Sequence, residues 1–148
     1  MGQQQLLLLV LSTVIVGLAT VAGIQAFSEN QQQATQDALT QRAMSLGTDI
    51  AAAGREPTQM GGVDLNGDAG SSDIADAIGV SDGGAIPAEG AGQDAQCKIT
   101  STGSYPVQVK CDDDAGGSGS YGSGQTVTVD VDLTADEQVK VSDITVTS

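Results

Sequence analysis

From Leu6 to Phe27 the chain is apolar on every side, 22 residues interrupted only by Ser12, Thr13, Gly17, Thr20, Gly23 and Gln25 and carrying no charge. As a helix this run would span roughly 33 Å, against about 30 Å for the hydrocarbon core of a bilayer. It is long enough to cross a membrane. From Ser28 the composition turns polar, yet the helical period goes on. The stretch "SENQQQATQDALTQRAMSLGTDIAAA" has no Pro and only one Gly, Gly47, and its apolar residues Leu39, Ala43, Leu46 and Ile50 recur at spacings of four, three and four. That spacing predicts one stripe on an amphipathic helix. The two halves together predict a single helix of about 50 residues, ending near Gly54.

A stripe of Leu, Ile and Ala needs a surface to pack on, and the C-terminal third supplies one. In "CKITSTGSYPVQVKC" a Gly-Ser turn separates two apolar-alternating runs, Lys98–Thr100 and Val107–Lys110, which predicts a hairpin. "QTVTVDVDL" alternates Val127, Val129, Val131 and Leu133 with Thr and Asp. "QVKVSDITVTS" repeats this with Val139, Val141, Ile144 and Val146, but its phase slips at Ser142-Asp143, as a β-bulge would allow. "TADE" reads as the turn between these two strands. The expectation is an α+β fold: a long N-terminal helix packed on a small antiparallel sheet of three or four strands. The predicted divisions are residues 1–27, the hydrophobic helix; 28–54, its amphipathic continuation; 55–96, a Gly/Asp-rich loop region; and 97–148, the β head. Pro57 and Pro87 act as breakers in the loop region. There, a short helix over Ser72–Ile78 would place Ile74 and Ile78 on one face, with Ser71 or Ser72 as N-cap.

Composition narrows the function. The 148 residues carry 19 Asp and Glu against 5 Lys and Arg, a net charge of -14, with one Phe, two Tyr, no Trp and no His. Phosphate contacts need clustered cations, so nucleic acid is not an expected partner. The acidic surface also suits a saline habitat, where salt screens its self-repulsion. Without His, and with no Gly-rich phosphate loop, neither nucleophilic catalysis nor cofactor chemistry has its usual parts. No enzyme activity and no organic cofactor are expected. If the chain behind residue 27 is exported, Cys97 and Cys111 should form a disulfide that clamps the hairpin, two separate buried thiols being the alternative. "DLNGD" resembles the start of a calcium loop, with Asp64, Asn66 and Asp68 as candidate ligands, but Ala69 and Ala75 stand where such a loop wants Gly and a carboxylate. The competing reading is an Asx-rich solvated turn. Asp112, Asp113 and Asp114 likewise read as a solvated acidic loop, with cation binding as the alternative.

The apolar run itself admits three fates. It could be a signal peptide, with Leu6–Val16 as its hydrophobic region and Thr20-Val21-Ala22 as a small-residue cleavage site, although "MGQQQ" lacks the usual basic start. It could be an anchor that stays in lipid, leaving a membrane-tethered or secreted binding domain. Or it could build something larger. Small residues four apart, such as Thr13 with Gly17 and Ala19 with Gly23, allow helices to approach closely.

The chain resembles type IV pilin-like proteins. Gly2 and the Gln residues 3 to 5 are followed by the uncharged helix Leu6–Phe27, which runs into a polar helical half and then a β-rich part with one disulfide. The resemblance covers the first 50 or so residues best. It implies a class III signal peptide processed by a prepilin peptidase at Gly2 and Gln3, with the apolar run kept. Subunits would wait in the membrane and then be assembled by inner-membrane machinery into an extracellular filament of copies. Leu6, Leu9, Thr13, Val16, Gly17, Ala19, Gly23 and Phe27 are then the expected assembly residues. The sequence departs from the bacterial pattern in one respect. A Glu is usual at the fifth mature position, but here that position is Gln5 or, after cleavage behind Gly2, Leu7. Registration by a buried ion pair at that position is therefore ruled out.

Overall fold

The computed structural model describes residues 2–67, 69–80, 84–101, 103–118, 121, 124–134 and 139–145. The chain divides into two compact units, residues 1–34 and 35–148. The expected long helix is present as α1, Gly2–Ala53, 52 residues without a break. Its first unit is helix alone. Its C-terminal end lies in the second unit, where the backbone tightens: Arg55 and Glu56 donate to the carbonyls of Ala52 and Ala53, three residues back. Pro57 then forbids continuation, and the Val63 N–H returns to the Ala53 carbonyl at 3.1 Å.

The second unit is the α+β head. After a 3₁₀ turn at Thr58–Met60 come α2 (Ser71–Ala77), β1 (Ile86–Pro87), β2 (Gln96–Thr100), β3 (Val107–Asp112), α3 (Ala115–Ser118), β4 (Thr126–Val131) and β5 (Val139–Thr145). The strands form one antiparallel sheet in chain order. It has five strands where three or four were expected, because β1 lies in the stretch read as loop. Two residues ending in Pro87 carry no strand signal, but Pro is tolerated at an edge where its missing N–H faces outward. The N-cap of α2 is also corrected. It is Gly70, one residue before Ser71, and its N–H donates to Asp73 Oδ2 at 2.9 Å. The carboxylate reaching back from the first turn, rather than a serine hydroxyl, satisfies that end.

The predicted stripe forms the lid of the core. Leu39, Ala43, Leu46 and Ile50 are all buried against the inward residues of β2, β3 and β4, including Ile99, Val109 and Val129. The slip in β5 is confirmed. Thr128 faces Asp143 and Val129 faces Val141, so Ser142 is the extra residue, and its hydroxyl donates to the Thr128 carbonyl at 3.2 Å. Val146 and the turn at residues 135–138 lie outside the described residues. Cys97 and Cys111 face each other in the β2–β3 register and form the disulfide. α1 comes close to the sheet at Gly47. A Cβ there would sit 2.8 Å from Val139 Cγ1 and 3.2 Å from Val129 Cγ1.

Two stability changes follow. Gly47→Ala gains about 1 kcal/mol of helix propensity, but overpacking a filled contact costs about 1–3 kcal/mol. The buried Val129 cannot give way, so a net loss is expected, seen as a lower urea midpoint, with Gly47→Leu worse. Reducing the disulfide, whose cysteines are 14 residues apart, is expected to cost about 3 kcal/mol, read as the difference between urea midpoints with and without reductant.

Candidate assembly surface

In the first unit, every described residue from Gly2 to Ala34 is solvent-exposed. Leu6 is 67% exposed and Phe27 65%, so within the first unit the apolar run buries its side chains against none of the described residues. The helix is long and apolar enough to cross a membrane, and its place near the N-terminus also suits a signal sequence. Within Leu6–Phe27, three of the four side chains that can hydrogen-bond are satisfied internally. The hydroxyls of Ser12, Thr13 and Thr20 donate to the carbonyls of Leu9, Val10 and Val16 at 2.8–2.9 Å. Hydroxyls bonded in this way can enter an apolar environment at little cost.

The structure places the expected assembly residues along this helix. Leu6, Leu9, Thr13, Val16, Gly23 and Phe27, with Thr20 between them, follow alternating spacings of three and four, which is the spacing of a seam between helices. Gly17 and Ala19 flank it. Beyond the adjoining residues and the helix's own backbone, no described atom lies within 4 Å of where a Cβ would sit at Gly2, Gly17 or Gly23, so these glycines answer no packing need within the first unit. Gln3 is exposed beside Gly2.

The acidic candidates behave differently. Asp64 and Asn66 form an Asx turn, with the Asn66 N–H donating to Asp64 Oδ1 at 3.0 Å; Asp68 lies outside the described residues. No group of three or more His, Cys, Asp or Glu converges as a metal site among the described residues. Of the Asp112–Asp114 run, Asp114 is exposed and Asp113 half-buried, and it is Asp112 that departs from the solvated loop the sequence suggested. Asp112 is fully buried, its Oδ1 accepting the Asp114 N–H at 2.9 Å, while Asp113 Oδ1 accepts the Gln125 N–H at 2.7 Å. A Cβ at Gly124 would collide with the Asp113 carboxylate. Asp113 thus ties the end of β3 to the residue before β4, its own N–H also donating to the Gln125 carbonyl at 3.2 Å. Adjacency in sequence could not reveal this, because the partner is 12 residues away.

Tyr105 was also missed. Burial raises its pKa above the ordinary 10.0, and the charges of Asp132 and Asp64 raise it further. The chain matches no family model, no curated protein and no solved structure.

Because the folded pKa of Tyr105 is raised, the neutral phenol's contribution is fully present below the unfolded value of 10.0 and is lost as pH rises through the folded one. Stability followed by urea unfolding should therefore fall above about pH 10, and Tyr105→Phe should flatten that fall.

Proposed function

We propose that the protein is the structural subunit of an extracellular, type IV pilus-like filament. It is held in the membrane by α1, processed near Gly2 and Gln3 by a prepilin peptidase, and polymerised by membrane assembly machinery. In the filament the helices form the core and the acidic β head lies outside. The observation that carries this reading is the uncharged, wholly exposed helix with its hydroxyls satisfied internally, continuous with a segment that serves as core of a folded head. A simple anchor or signal needs no such continuity. The role is structural, with no catalytic step assigned to any residue.

The test is to shear cells, pellet the released material and measure the intact mass of this protein. A mass retaining Leu6–Phe27 in the pellet supports the filament. A soluble product beginning after Ala22 or Ala26 would instead make the run a signal peptide and the protein a secreted binding domain. Gly17→Leu and Gly23→Leu should each cut the pelletable protein by about tenfold, as loss of helix contacts worth roughly 1–2 kcal/mol implies. The urea midpoint of the head should not change.

A further inference from the structure

Resting on the filament reading, we propose that neighbouring heads dock through a charge contact in which Lys98 and Lys110 of one copy meet the acidic groove of Asp49 and Glu56 on the next. Lys98 and Lys110 stand directly opposite each other in the β2–β3 register. Like charges placed so are unfavourable within a sheet, and this pair holds two of the five cations of a chain with net charge -14. Their sequence neighbours Cys97, Ile99, Val109 and Cys111 are buried in the core. By strand alternation the two ammonium groups therefore point to the face away from α1. Lys98 is exposed, with its Nζ 6.0 Å from the Tyr121 ring centroid.

On the other side of the head, Asp49, Ala52, Ala53 and Glu56 at the end of α1 line a groove with Ala77 and Ile78. Asp73 and Asp76 line the groove beside it, and both Asp49 and Glu56 are exposed. Arg55 is the one cation between Asp49 and Asp76. Lys110 is half-buried, and Asp130, opposite Lys140 in register, shares the lysine face. A contact between this face and the acidic groove of the next copy is heterologous, and propagates as an open array when its rotation does not close a ring. Such a contact also answers a physical need, since copies of charge -14 repel unless cations of one face carboxylates of the next.

The test uses the full-length protein and reads pelletable filament for the wild type, Lys98→Glu/Lys110→Glu, the neutral Lys98→Gln/Lys110→Gln, and the charge swap that adds Asp49→Lys/Glu56→Lys to the first. The reversal should lower pelletable protein by about tenfold or more, the neutral pair less, and the swap should recover most of it. Circular dichroism on each variant guards against misfolding, and the neutral pair carries the test if the reversal does not fold. Normal filaments from both lysine variants would overturn the docking contact and leave the filament reading standing. So would a defect that the swap fails to repair, or lysine variants that assemble normally but lose binding to heparin as a polyanion probe. A wild type that never pellets would instead sink the filament reading, and this contact with it.

Discussion

The apolar surface between Leu6 and Phe27 is the constraint on which the rest of the molecule depends. Thirteen large hydrophobic side chains in this run stand exposed in the single chain. Burying a fully exposed side chain of this kind contributes about 1.5–3 kcal/mol. At the 50–68% exposure these have in the helix, the run favours leaving water by roughly 10–25 kcal/mol, as much as or more than the roughly 5–15 kcal/mol by which a typical domain is folded. Lipid, other copies of the helix, or removal of the segment are the available outcomes. The absence of any charge before Glu29 keeps all three open, and what distinguishes them is the use made of the chain beyond it.

That use is packing. A head with so few aromatic residues must build its core from medium and small side chains, and it does so by bringing elements close together. Ala43, Gly47 and Ala51 on α1 face the sheet as buried residues, leaving space only for the valines of β4 and β5. Small residues reduce the apolar area each contact buries but allow more contacts of short reach. The disulfide across β2 and β3 adds a constraint where aromatic bulk is missing. The buried part of α1 begins at Leu39, beyond both Ala22 and Ala26, so the head keeps its helical lid whatever becomes of the apolar half.

Periodic features were legible in the sequence, and features made by distant contacts were not. The stripe from Leu39 to Ile50, the alternation of β4 and the bulge at Ser142 are local patterns that read directly from the residues. The cysteine pair was legible because matching strand ends gave it a register. β1 was missed because two residues have no period; it exists only because β2 offers a free edge. Asp112 was misread because a run of three acids is usually solvated, whereas the segment just before β4 packs on it, with Gly124 close to its carboxylate and Gln125 bonded to Asp113. Gly47 was visible as the one glycine of its helical half, but its reason, Val129 and Val139 across the core, belongs to the tertiary fold. The apolar run and its small residues four apart were legible at helical spacing, and the structure adds their exposure and the internally bonded hydroxyls of Ser12, Thr13 and Thr20.

Charge sets the remaining constraint. Helices that associate through apolar packing bring their attached domains to fixed separations, and a domain of this net charge resists that approach whatever its fold. At a Debye length of about 8–10 Å, physiological salt screens distant charges but not those in contact. The arrangement of charge at the contact therefore matters more than the total. This chain sets Lys98 and Lys110 on the face of its sheet opposite the helix, with Lys140 and Asp130 opposite each other in the β4–β5 register, and places Asp49, Glu56, Asp73 and Asp76 around the helix end and α2. A polar distribution of this kind gives neighbouring copies one favourable orientation and many unfavourable ones. In the proposed filament the seam along the apolar helix would supply affinity, and the head, where charge and shape are asymmetric, would add orientation.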